Sequence, residues 1–354
     1  MPSLHDRYRS CLLAGAVGDA LGAAYDGQSA AEVRAHRRPE SLSSSQRPLR
    51  YLPVGGDVGA NTDATQMLLF TAEGLLRAHT RRRAAGHDDW PHDEALSSVH
   101  RAYLRWYDTQ RADKPPPRPD GWLVAQRAMY QRRARDPVTP RILRSGLRGR
   151  LEAPINNARD ASVLARAAPI AMASWTPWLL ARDIAALTHT HADAAHATAA
   201  FAVVLQKVLV GRSLADGVES AWRLATDAGA APLARRMEAA LEAADQNPTT
   251  KMAEHQRAAD DATGCLVLAL YAVASTKSST EAIEVAISTG GDASRAGIAT
   301  GLLSGALHGA PLPEVLTGPL ELADLAATVA DDLYAHFSGT PFELTEAEWD
   351  RYPG

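Results

Sequence analysis

From residue 297 to residue 309 a glycine returns at every fourth position, as Gly297, Gly301, Gly305 and Gly309. Residues spaced this way share one face of an α-helix, so that face has no side chains and lets a neighbouring backbone come close. Gly15, Gly18 and Gly22 trace a similar stripe near the N-terminus. A glycine inside a helix costs ~1 kcal/mol relative to alanine, so seven such positions require a packing reason. The spacing therefore predicts helices drawn together at backbone distance. Elsewhere alanine and leucine recur at helical intervals, as in 194–210, 258–276 and 320–335, while alternating β-branched runs are scarce. The fold class expected is all-α.

Breaks in this pattern fall at 36–60, at "KPPPRPDGW" (114–122), at "RDPVTPR" (135–141) and around "DQNPTTK" (245–251), and none reads as a long flexible linker. With 354 residues, 46% of them hydrophobic, the chain is long enough to bury a sizeable core. We read 1–354 as a single domain, in which helix starts distant in sequence converge on one pocket.

A net charge of −4 gives no general attraction to nucleic acid or to an anionic membrane. Arginines gather at Arg81, Arg82 and Arg83 and at Arg127, Arg132, Arg133 and Arg135, where solvated helix faces account for them. The cysteines, Cys11 and Cys265, lie in apolar surroundings, which excludes a disulfide framework or a CxxC metal site. The N-terminus has no basic segment leading into a leucine-rich run, and the uncharged stretch 296–313 is diluted by Gly, Ser, Thr and His. These features place the chain in the cytoplasm, with 296–313 as a buried helix.

The residues able to carry chemistry sit at helix starts. "GDALGAAYD" puts Asp19 in a glycine-rich helix and Asp26 near its end. "ANTDATQMLLF" opens another helix, with Asn61 or Thr62 as N-cap and Asp63 in the first turn, where the helix dipole favours an acid. Capping explains each acid taken singly. In "STGGDASRAG", Gly290, Gly291 and Asp292 are followed by Ser294 and Arg295, and a guanidinium in a first turn opposes the dipole unless an acid compensates it. Asp63 and Asp292 are the acids expected to do so, since a guanidinium fork suits bridging carboxylates.

Taken together, "GAVGDALGAAYD" (15–26), "NTDATQMLLFTAEGLLRA" (61–78), "DGWLVA" (120–125), "INNARDASVLARAAPIA" (155–171), "LTHTHADAAHATAA" (187–200) and "STGGDASRAG" (288–297) resemble the ADP-ribosylglycohydrolase family in order and content. The resemblance implies an orthogonal helical bundle, a binuclear Mg²⁺ site, and cleavage of the bond between ADP-ribose and a protein side chain or small acceptor. A pair of Mg²⁺ ions needs several hard oxygen ligands. The family supplies them from a Thr-Asp-Asp-Thr stretch and a Gly-Gly-Asp-x-Asp-[Ser/Thr] stretch.

Carried across, the first stretch keeps Thr62, Asp63 and Thr65 but has Ala64 in place of the second carboxylate. The second keeps Gly290, Gly291 and Asp292 but has Ser294 for a carboxylate and Arg295 for a hydroxyl ligand. Asp26 matches the family's glutamate facing the scissile bond, shorter by one methylene, which withdraws the charge by about 1.5 Å. "RDASVLAR" replaces a glycine-rich turn and keeps Arg166, while His189 survives in the following "TH" pair. Were His189 and His191 both helical they would point about 200° apart, a poor chelating pair.

The resemblance thus implies a partial metal set of Thr62, Asp63, Thr65 and Asp292, with Asp26, Asp63 and Asp292 as catalytic candidates. Asp19, Arg166, His189, Gly290, Gly291, Ser294 and Arg295 are the ligand-binding candidates. The expected partner is an ADP-ribose-type small molecule or an ADP-ribosylated protein. Arg295 is expected to stand in for a metal cation, leaving a ligand-binding protein with impaired hydrolysis. A hydrolase with a rebuilt one-metal or metal-free carboxylate site is the alternative.

Overall fold

The computed structural model describes residues 2–36, 50–54, 56–87, 91–133, 136–246, 261–339 and 345–353. Most of the expected breaks at 36–60 and 245–251 therefore lie outside the described residues, as does Arg135. The principal helices are α1 (Leu4–Ala23), α2 (Asp63–Ala84), α3 (His92–Thr109), α4 (Ala167–Ala173), α5 (Pro177–Ala186), α6 (Ala192–Leu209), α7 (Leu214–Asp227), α8 (Ala231–Gln246), α9 (Ala262–Ala274), α10 (Ser279–Ile287), α11 (Ala293–His308) and α12 (Ala323–Phe337). Among the described residues there are no β-strands beyond isolated bridges.

Local chemistry sets the ends of these helices. Ser3 caps α1 in a reciprocal box with Asp6, and Thr62 caps α2 by accepting the Ala64 N–H. Inside, α2 is buried along nearly its whole length, and the core joins it to α3, α4, α6, α9 and α11 through residues such as Leu68, Phe70, Trp106, Phe201 and Leu266. Cys11 and Cys265 lie in this core as free, buried thiols.

The two glycine stripes turn out to face each other. A β-carbon on Gly18 would sit 2.1 Å from the Gly297 carbonyl oxygen, one on Gly301 would sit 2.0 Å from that of Ala14, and one on Gly305 would sit 2.2 Å from that of Ser10. Residue numbers fall along α1 as they rise along α11, so the helices run antiparallel with backbones touching. Gly309 departs from the expected stripe. Its φ of 58° is left-handed, and its N–H closes α11 by bonding the Gly305 carbonyl at 2.8 Å, so it ends the helix instead of packing within it. At the other end of the contact Asp19 follows Gly18 and Arg295 precedes Gly297 by two residues, which brings two charged residues to the same place.

Candidate functional site

The deepest layer of the site is built around Asp19, which is fully buried on α1. Its carboxylate accepts the Thr62 N–H at 2.8 Å, the Thr62 hydroxyl at 2.6 Å and the Thr65 hydroxyl at 2.6 Å. Asn61 bonds the Thr65 hydroxyl at 3.1 Å and the Ala16 carbonyl at 2.8 Å, tying the start of α2 to α1. Burial raises the Asp19 carboxyl above its ordinary range, and the threonine hydroxyls and Arg295 oppose that rise.

Arg295 enters this layer from the first turn of α11. Its Nη2 donates to Asp63 Oδ1 at 2.7 Å and its Nη1 to the Thr62 hydroxyl at 2.9 Å, with both charged side chains almost wholly buried. Burial by itself would lower the guanidinium; the carboxylates of Asp63, Asp292 and Asp19 overcome that and raise it. The expected compensation of the guanidinium is thus made by Asp63 through a direct bond and by Asp292 through its nearby charge.

A second layer forms where α1 ends. Gly27 N–H bonds the Gly291 carbonyl and Gly291 N–H the Gln28 carbonyl, each at 2.8 Å. Gly290 and Gly291 have φ of 71° and 72°, a region open to glycine at no steric cost. This clasp sets Asp26 against the start of α11, where it accepts the Ser294 N–H at 2.7 Å and the Ser294 hydroxyl at 2.8 Å. Ser294, standing where the resemblance places a carboxylate, therefore holds another carboxylate instead. Asp292, half-buried, makes no capping hydrogen bond through its side chain. Burial pushes its carboxyl up to about 6; Arg295 works against this, and Asp26 and Asp160 reinforce it.

A third layer joins Asp136 and Asp160, which were not among the candidates, to the expected His189 and Arg166. Asp136 accepts the N–H groups of Val138 at 2.6 Å and Thr139 at 3.0 Å, and its own N–H reaches Asp63 Oδ2 at 3.3 Å. His189 Nε2 lies 2.8 Å from Asp160 Oδ2, 3.3 Å from the Ser162 hydroxyl and 3.8 Å from Asp136 Oδ2. One ligand atom from each of Asp136, Asp160 and His189 falls within 4.8 Å of the others. Burial would raise the Asp160 carboxyl, but the hydrogen bond and charge of His189 outweigh it and hold it well below the usual carboxylate range. His189 Nδ1 pairs with the Thr188 hydroxyl at 2.9 Å. Arg166 in turn holds Thr188 at 2.7 Å and Thr139 at 3.0 Å, with its guanidinium 5.0 Å from the centre of the Tyr103 ring.

These positions bear on two of the sequence readings. Asp19 and Arg166 are fully buried and bonded to threonine hydroxyls, while Arg166 Nε has no partner among the described residues. His189 and His191 are not both helical, so the condition of the 200° reading is not met: His191 caps α6 by accepting the Asp193 N–H. Asp136 left one trace in the sequence, an acid before proline with Thr139 three residues on, which is an N-terminal capping pattern. Nothing local links it to His189.

The oxygens of Thr62, Asp63 and Thr65 do not fit a pair of Mg²⁺ ions as placed. Thr62 and Thr65 give their hydroxyl protons to Asp19, and the Asp63 carboxylate is taken by Arg295 on one oxygen and by the Asp136 N–H on the other. Two carboxylates and an imidazole, by contrast, form a donor set that suits one divalent ion such as Mn²⁺ or Zn²⁺ better than Mg²⁺, which prefers oxygen alone.

Comparison with known proteins bears on this geometry. The sequence model of the ADP-ribosylglycohydrolases matches residues 1–341. A solved structure described as an ADP-ribosylglycohydrolase-related protein complex is similar at 25% identity, with a TM-score of 0.63, over 94% of this chain and 98% of that one. No curated protein sequence matches.

Proposed function

The chain belongs to the ADP-ribosylglycohydrolase family, and from that premise we propose that it binds an ADP-ribosyl-type ligand, free or on a protein, with hydrolysis impaired. The observation that supports this reading is the bridge from Arg295 to Asp63 and Thr62 at 2.7 and 2.9 Å. A guanidinium there neutralises the acid that would otherwise draw in a cation, and it cannot polarise a ribose oxygen or activate water as a divalent ion does. Asp26, Asp160 and Asp292 keep a solvent-facing side. Their carboxylates suit the vicinal hydroxyls of a ribose. The match over residues 1–341 supports one domain, and the buried thiols support a cytoplasmic setting. Among the described residues no helix is long and apolar enough to cross a membrane.

Calorimetric titration of ADP-ribose, with Mg²⁺ and then with chelator, tests this reading when the cell contents are checked for product. Binding that ignores chelator and yields no product is expected. Binding that requires Mg²⁺ would overturn it.

A second reading has its own observation, the convergence of Asp136, Asp160 and His189. In a rebuilt one-metal hydrolase these residues would hold the ion, which would supply charge stabilisation. Asp292, which keeps its proton to about pH 6, would protonate the leaving group, while Asp26 is held in place by the Ser294 N–H and hydroxyl. Product formed with Mn²⁺ and lost in Asp160→Asn would establish it.

A further inference from the structure

A cavity of about 680 Å³ lies between the N-terminal part of α5, the C-terminal half of α6 and α7. It shares no residue with the site above and sits about 20 Å along α6 from the end that follows His189. Its walls are apolar, with Trp175, Trp178, Leu179, Val203 and Leu224 prominent. Trp175 is 72% exposed and Leu179 54%, so the mouth is greasy, and water is a poor filling for it.

Two polar side chains from the last turns of α6 line this cavity. Gln206 is 7% exposed, and its side-chain amide makes no hydrogen bond among the described residues. Lys207, beside it, enters no ion pair among them. No carboxylate lines the cavity. The acid near its edge, Asp183, is already answered by Arg182 at 2.7 Å and by His92 at 2.9 Å. The amide atoms of Gln206 are not among the buried unpartnered ones, so they reach the open space of the cavity, where a ligand can meet them. A volume of this size with a few convergent polar groups is typical of small-molecule sites.

We propose that this cavity binds an amphiphilic monoanion, a medium-chain or aryl-alkyl carboxylate, whose apolar body fills the Trp175–Trp178–Leu224 walls and whose carboxylate meets Lys207 and the Gln206 amide. The lone ammonium in an acid-free lining is what selects an anion over a neutral or cationic amphiphile. A charge-assisted hydrogen bond in a partly buried setting carries the discrimination.

The test is calorimetry with decanoate below its micelle concentration, alongside decanol and decyltrimethylammonium. Saturable one-to-one binding of decanoate is expected, at least tenfold tighter than decanol, with the cation weakest. Lys207→Ala should bring decanoate to within about threefold of decanol while leaving decanol unchanged, and Gln206→Leu should weaken decanoate without weakening decanol. Equal binding of the three amphiphiles, or an unchanged preference in Lys207→Ala, overturns the proposal. So does a sedimentation coefficient that rises with protein concentration and returns to the monomer value in Leu179→Glu, since a second copy would then be the occupant.

Discussion

Removing the guanidinium of Arg295 isolates the central claim about the site. In Arg295→Ala, Asp63, 2% exposed, loses its cation while its other oxygen keeps only the 3.3 Å bond from Asp136 N–H. Deleting one partner of a buried ion pair costs about 3–5 kcal/mol, because the remaining charge is left uncompensated. The Thr62 hydroxyl also loses a donor, and fully buried Asp19 loses a nearby positive charge. At about 2.1 cal/mol/K per residue over 354 residues, each kcal/mol moves Tm by roughly 1.3 °C, so the expected fall is about 4–7 °C. The second half of the experiment adds divalent ions. The vacated space is faced by Asp63 and Thr62, so millimolar Mg²⁺ or Mn²⁺ should restore part of the loss in the variant. At a concentration a hundred times the Kd that recovery is about 2.7 kcal/mol. Differential scanning calorimetry of wild type, Arg295→Ala and Arg295→Lys, with and without the ions, reads both effects. A loss below about 1 kcal/mol, or equal stabilisation of wild type and Arg295→Ala by the ions, would refute the idea that this guanidinium occupies a cation's place.

Other consequences follow from the same geometry. Asp292 has a carboxyl raised to about 6, chiefly by burial, against an ordinary 3.8. An acid whose folded pKa exceeds its unfolded value contributes stability below the unfolded pKa and loses it as pH rises through the folded one, here between about pH 4 and 6. Asp292→Asn should therefore gain about 1–2 kcal/mol on wild type between pH 4 and pH 7 in denaturant melts, and parallel profiles would contradict this assignment. Gly301→Ala places a β-carbon 2.0 Å from the Ala14 carbonyl oxygen, so α1 and α11 must part, at a cost of about 3 kcal/mol or more. A loss under 1 kcal/mol in urea unfolding would mean that the helices are not in backbone contact. Restoring both motifs with Ala64→Asp, Ser294→Asp and Arg295→Thr should produce Mg²⁺ binding measurable by calorimetry, where wild type shows none. A folded triple variant that still binds no Mg²⁺ would show that the motif residues were wrongly matched.

The amino-acid sequence determined by itself what periodicity and local pattern encode. Alanine and leucine at helical spacing made the fold all-α, and Asn61 or Thr62 before an acid marked the start of α2, with the structure choosing Thr62 as the cap. The motifs around Asp63 and Asp292, with Arg295 in the wrong place for a first turn, were enough to expect an acid beside that arginine, and Asp63 is bonded to it. The glycine stripes announced close helix contact, but not that they would meet each other, because a bare helix face is complementary to any backbone. Only the tertiary structure chose that partner, and with it the meeting of Asp19, Thr62 and Arg295. It also decided which candidates face solvent: Asp19 and Arg166 are fully buried. Asp136, Asp160 and His189 come from three segments whose local patterns report only caps and turns. Their convergence depends on how the start of the short helix Val138–Ser145, the loop before α4 and the connection from α5 to α6 pack together, and side-chain geometry across such chain separations leaves no periodic trace in a single sequence.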